Sequence, residues 1–181
     1  RISRYGLTAF ASSFDQIGLL SNSLDDLIQT FQVVSGNDKK DSTSADLPVV
    51  KFEYSEKKAK KIKIGIPKEY LDKSLNSEVR GKLESMIQFL KKNNFEVIDV
   101  SLPLTSKSIS VYYILSTAEA ASNLSRFDGV KYGFRTKSFN IKEMYKKTRS
   151  LGFGDEVKRR IILGTFILSS GYYDAYYGKA L

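Results

Sequence analysis

The adjacent serines Ser12-Ser13 and Ser169-Ser170 have the side-chain type that a nucleophilic hydrolase needs, but not the setting. A reactive hydroxyl requires a base within hydrogen-bond reach and a backbone turn, often Gly-rich, that exposes it. Neither pair has such neighbours, so both read as packing and turn hydroxyls. The sequence of 181 residues contains no His and no Cys. That removes the commonest general base and metal ligand, together with disulfides, thiolate zinc sites and cysteine nucleophiles. No carboxylate cluster has metal-ligand spacing. Gly152-Phe153-Gly154 lacks the strand and the further glycines of a phosphate-cradling loop. Any catalysis would fall to Ser, Lys, Tyr, Asp or Glu.

Charge is the next signal. The net charge is +9, and much of it sits in two clusters. One is Lys57, Lys58, Lys60, Lys61 and Lys63; the other is Lys142, Lys146, Lys147 and Arg149. They read as solvated surface, with phosphate contact as the competing reading. No stretch approaches the roughly 20 apolar residues of a membrane helix, so no membrane partner is expected. The opening RISRYGLTAF has neither an apolar signal core nor an initiating Met, and YYDAYYGKAL stops inside an expected helix. The chain is therefore expected to be an excised piece of a longer one. The lack of Cys fits a cytoplasmic location.

The elements that would position side chains follow from periodicity. Leu24, Leu27, Ile28, Phe31 and Val34 recur at helical spacing and predict one buried face, with Ser23 as cap and Gly36 as stop. Residues 37–61 are polar, then lysine-rich, and predict a surface loop. Residues 62–66 and 95–100 are apolar strands flanking a helix over 77–92, whose Val79, Leu83, Met86, Ile87 and Leu90 share one side. Strand, helix, strand at this spacing predicts a parallel βαβ unit, with a right-handed crossover. A helix is expected over 109–126, with Val111, Leu115, Ala118 and Ala121 on a small-residue face. A loop over 128–140 and a short helix over 141–149 come next. A longer helix is capped by Asp155 and runs to Leu168, with Gly164 and Gly171 where a neighbour can pack closely. Two strands do not make an independently stable sheet.

Longer segments carry a more specific signal. RISRYGLTAFASSFDQIG at the start, DSTSAD at 41–46, IGIPKEYL at 64–71, SNLSRFDGVKYGFR at 122–135 and GFGDEVKRRIILGTFILSSGYYDAYY at 152–177 resemble, in the same order, segments of aspartyl/glutamyl-tRNA amidotransferase A subunits, which belong to the amidase-signature family. The first block is similar to the stretch just after the family's Gly/Ser-rich signature. Leu19 departs from the pattern, where the family usually has Pro. The resemblance implies an α/β fold with a central mixed sheet covered by helices, of which residues 1–181 would be a partial amidase domain. It implies glutamine hydrolysis by a Ser, a second Ser on a cis peptide and a Lys, all upstream of residue 1, so no catalytic residue is assigned within this chain. It further implies two partners, the amidotransferase subunits B and C. Ammonia would pass to the first of these, which amidates misacylated tRNA with ATP and Mg; no cofactor is expected on this segment itself.

By position in the matching blocks, the family's glutamine-holding Tyr and Arg fall on Tyr112 and Arg160. A guanidinium grips a carboxylate bidentately, and a phenol supplies a hydroxyl and one wall. Arg159 and Tyr113 are the adjacent alternatives. Neighbours on a helix point about 100° apart, so one of each pair should face a pocket. Asp15, Gln16 and Gly18 would support the floor of such a site, or serve structure alone, and Asp128 with Gly129 would shape the loop after the Tyr112 helix. Two other readings stay open: another amidase-signature hydrolase acting on small amides, and a basic RNA-binding module.

Overall fold

A computed structural model describes residues 1–49, 51–52 and 62–181. Lys57, Lys58, Lys60 and Lys61, with the end of the expected 37–61 loop, lie outside the described residues. The chain divides into two compact units, 51–108 and a second made of 1–50 with 109–181.

The 51–108 unit is the expected βαβ. Strand β1 (Lys63–Pro67) pairs in parallel with β2 (Glu96–Val100), in register from Lys63↔Glu96 to Pro67↔Val100. Pro67 is the last residue of β1 rather than the residue after it. It can occupy that place because a strand-terminal position need not donate to the ladder. Lys63 and Glu96, register partners, form an ion pair of 2.9 Å. A single-turn 3-10 helix, Lys68–Leu71, follows β1. Its Glu69 accepts hydrogen bonds from Ser101 Oγ at 2.6 Å and Leu102 N at 2.8 Å, which ties it to the chain leaving β2.

Helix α1 (Leu24–Val34) belongs to the other unit, and α2 (Ser77–Lys92) is the crossover. Asn76 caps α2 by accepting from Glu78 N at 2.9 Å, a role the residue types at its start favour. The periodic apolar sides of both helices are present, but the burial expected for the α1 face is not. No residue of either helix is buried, and Leu24, Val34, Val79, Leu83 and Met86 are exposed. A two-stranded sheet has too little face to cover α2.

In the second unit, Ser23 Oγ caps α1 as expected, accepting from Asp26 N at 3.3 Å. The helix ends at Val34 because Ser35 turns extended and bridges Ile2. Three further helices build the core: α3 (Ser108–Leu124), α4 (Ile141–Gly152) and α5 (Asp155–Ile167), with a final turn α6 (Tyr177–Ala180). Asp155 is the first helical residue of α5, not its cap; Gly154 holds the cap position. Its carboxylate still favours the positive helix start.

The buried interior is dominated by small side chains, Ala11, Ser116, Thr117, Ala118, Ala120 and Thr148, with Leu124, Met144 and Ile167 as its larger members. Small residues let backbones approach, and α3 and α5 use this at Gly164. A Cβ there would lie 1.9 Å from the Thr117 carbonyl oxygen and 2.8 Å from Ala121 Cβ. Gly171, expected to do the same, has nothing within 4 Å. The loop after α3 turns at Gly129, which is in the left-handed region at φ +87° and abuts Thr148 of α4.

Candidate functional site

Residues 1–16 are irregular, yet polar contacts hold them closely. Arg4 donates from its backbone N to Asp41 Oδ2 at 2.8 Å and from its guanidinium to Ser12 O, Asp15 O and Thr43 Oγ1. The Asp15 carboxylate accepts from Phe10 N at 2.9 Å and Ala11 N at 3.2 Å, closing the turn around Ser12-Ser13. Helix α3 then fastens the turn. Glu119 Oε2 accepts from Ser13 N at 2.8 Å, and Asn123 Nδ2 donates to Phe10 O at 3.1 Å and to Ser12 Oγ at 2.9 Å. The Ser12 hydroxyl thus has a structural partner, as its turn setting predicted.

This fastened turn brings two aromatic rings to the residues singled out above. Phe14 meets Tyr112 edge-on at 5.9 Å between centroids. The Arg160 guanidinium carbon lies 5.5 Å from the Phe10 ring centroid, and Arg160 Nε donates to Glu156 Oε1 at 2.8 Å. Arg160 is held above the ordinary arginine pKa, first by that hydrogen bond. Desolvation pulls the other way, and the charge of Glu156 and the Tyr112 hydroxyl add to the rise. One loop thus touches both side chains, Phe14 meeting Tyr112 of α3 and Phe10 meeting Arg160 of α5.

The adjacent alternatives diverge. The Arg159 side chain is 77% exposed against 27% for Arg160, and its guanidinium pairs with the other Glu156 oxygen at 3.1 Å. Tyr113 lines a separate apolar groove of about 410 Å³ with Ile114, Leu163, Phe166, Ile167 and Tyr176. A polar cavity of about 590 Å³ is lined by Arg1, Arg4, Ser12, Ser13, Asp15 and Gln16 among others. Asp15 and Gln16 border this cavity, whereas a Cβ added at Gly18 would meet nothing within 4 Å. Neither Tyr112 nor Arg160 lines that cavity.

Phe10, Phe14 and Glu156 were not singled out in the sequence. Glu156 was findable, since it stands four residues before Arg160 on one helix face. Phe10 was not, because only tertiary folding brings it to α5. The second lysine-rich cluster needs one correction. Arg149 is not a free surface charge: it donates to Leu124 O at 2.9 Å and Phe127 O at 3.3 Å, satisfying carbonyls at the end of α3. Lys147 pairs with Glu143 at 3.6 Å. Among the described residues, no group of three carboxylates could hold a metal, and no helix is long and apolar enough to cross a membrane.

Comparison with known proteins agrees with the sequence resemblance. The family model described as Amidase matches residues 1–181. The chain is 50% identical, over 99% of its length, to the A subunit of glutamyl-tRNA(Gln) amidotransferase from Sulfurihydrogenibium sp.. It is 51% identical over its whole length to the corresponding protein of Clostridium botulinum. In each case it spans 38% of the relative. Among solved structures, the glutamyl-tRNA(Gln) amidotransferase A subunit of Thermotoga maritima superposes with a TM-score of 0.68 and 32% identity, over 99% of this chain and 34% of that one. An amidase at 21% identity shares the fold, with a TM-score of 0.62.

Proposed function

The chain belongs to the amidase family, and from that premise we propose that it is part of the glutamine-hydrolysing A subunit of a tRNA-dependent amidotransferase. In that role the whole protein releases ammonia from glutamine. The B subunit uses the ammonia, with ATP and Mg, to convert Glu-tRNA(Gln) or Asp-tRNA(Asn) to the amidated form, and the C subunit completes the complex in the cytoplasm. The relatives at about 50% identity, all named as A subunits of glutamyl-tRNA(Gln) amidotransferase, support this.

Within that reaction, this segment holds the substrate. Arg160 grips the α-carboxylate of glutamine, and Tyr112 provides a hydroxyl and a wall beside it. The observation that carries this assignment is the Arg160 guanidinium, which is mostly covered, edge-bonded to Glu156 and faced by Phe10, on the loop whose Phe14 meets Tyr112. With Nε committed to Glu156, carboxylate binding falls to the terminal Nη groups. The nucleophile and base are assigned to sequence outside these 181 residues, so this chain by itself should turn over no glutamine.

The test is steady-state glutaminase kinetics of the full-length protein in its complex. Arg160→Lys keeps the charge but loses the planar fork. A charge-assisted hydrogen bond contributes about 1.5–3 kcal/mol, so KM for glutamine should rise on the order of tenfold to a hundredfold. Arg159→Lys should stay within about twofold, as expected of an exposed pair. Equal effects of the two substitutions would refute the role of Arg160. Turnover of small amides in preference to glutamine would favour a free-standing amidase instead.

A further inference from the structure

We propose that Phe10 is a positioning residue for the Arg160 guanidinium, and through it for the substrate carboxylate; the proposal rests on the reading of Arg160 given above. A planar ion needs two references to be oriented, one along its edge and one on its face. Glu156 supplies the edge at 2.8 Å. It sits on the same helix at i−4, with its own side chain about half exposed, and such a pair orients weakly. Phe10 supplies the face, with its ring centroid 5.5 Å from the guanidinium carbon. A cation over an aromatic face is attracted by the ring quadrupole, and the attraction grows as water is excluded.

The backbone that carries the ring is itself fixed. The Phe10 N–H donates to Asp15 Oδ2 and its carbonyl accepts from Asn123 Nδ2, so the backbone on both sides of Cα is held. Asn123 is on α3, the helix that carries Tyr112. Glu119, one helical turn before Asn123, holds the same loop through Ser13 N. Phe14 of that loop lies against Tyr112. Helix α3 therefore presents the phenol directly and, through Asn123 and Glu119, presents the ring that carries the α5 guanidinium. The spacing of phenol and guanidinium is set through the loop, not only by how α3 and α5 pack. This gives Asp15 and the Ser12-Ser13 turn a purpose that requires no reacting hydroxyl there.

The test again uses the full-length protein in its complex. Phe10→Leu keeps bulk and removes the π face. It should raise KM for glutamine about threefold to tenfold, the range set by a partly desolvated cation–π contact, with kcat changed by less than about twofold. Phe10→Tyr restores the face and should restore KM. With a glutamine analogue carrying CH2OH in place of the α-carboxylate, wild type and Phe10→Leu should be alike. Asn123→Ala leaves the ring in place but loosens it. It should give the same KM-only signature at smaller amplitude, and it decides the matter if Phe10→Leu does not fold. An unchanged KM in these variants, or a loss of kcat that Phe10→Tyr does not rescue, would overturn the proposal while Arg160→Lys still weakens glutamine use. If Arg160→Lys is itself without effect, the reading of the site fails first.

Discussion

Replacing Gly164 by Ala should be among the most damaging single-methyl additions in this chain. In an exposed helix the same change is favourable by about 1 kcal/mol, because Gly carries the larger backbone entropy. At Gly164 the added Cβ would lie 1.9 Å from Thr117 O, 2.6 Å from Thr117 C and 2.8 Å from Ala121 Cβ. Two of these are backbone atoms, and no flexible side-chain end can swing aside. Reaching an ordinary 3.4 Å contact would push α3 and α5 apart by roughly 1.5 Å, and a gap of about 0.5–1 Å already forfeits about a quarter to a half of each contact's attraction. Overpacking costs about 1–3 kcal/mol, occasionally more. A backbone clash belongs at the upper end, and the propensity gain offsets part of it, leaving a net loss of about 2 kcal/mol. Gly81 is the internal control. It lies in the middle of α2 with nothing within 4 Å of its would-be Cβ, so Gly81→Ala should stabilise by up to about 1 kcal/mol. Urea unfolding of the full-length protein reads both as midpoint shifts at constant slope. Arg160 stands one turn before Gly164, so Gly164→Ala should also raise KM for glutamine. Shifts of the same sign for Gly164→Ala and Gly81→Ala would refute the close crossing of α3 and α5.

Beyond the kinetic tests of Arg160 and Phe10, two further outcomes are expected. Hydrogen bonds from Arg4 N, and then from the Thr43 hydroxyl and N–H, hold the Asp41 carboxyl down from 3.8 to about 2. A depressed carboxyl stabilises the fold above its unfolded pKa, and that share is lost as pH falls from about 4 towards 2. A carboxyl-resolved NMR titration should place Asp41 near 2, and a midpoint near 3.8 would show that the Arg4 anchor is absent. Gly129→Ala combines left-handed strain at φ +87° with a Cβ 2.9 Å from Thr148 Oγ1, and should cost about 2 kcal/mol in the same urea assay. Because Thr148 Oγ1 accepts from Thr136 N, the double variant is compared with Thr148→Ala alone, against which Gly129→Ala should cost only its strain share; no remaining cost would show that the backbone there carries no strain.

Sequence alone determined the elements and the family. The parallel βαβ was legible because period-2 and period-3.6 patterns, with Pro and Asn at their ends, are local properties. The boundaries of α2 and the Ser23 cap were readable for the same reason, and Gly164 stood out as a small residue inside a helix. The blocks from RISRYGL to the GFGDEVKRR segment marked the family before any geometry was known. Tertiary structure decided what the periodic faces touch. Leu24, Val79 and Met86 obey helical spacing yet stay exposed, since periodicity gives the side of a helix and not whether anything packs against it. It also distinguished Arg160, which is mostly covered, from the exposed Arg159, while Tyr112 and Tyr113 are about equally exposed. Neighbouring helical residues have equal local claims, and only the packing around each helix face tells them apart. The Phe10 face, the Asn123 anchor and the Arg149 cap on α3 join residues far apart in the chain, and no local pattern encodes such contacts.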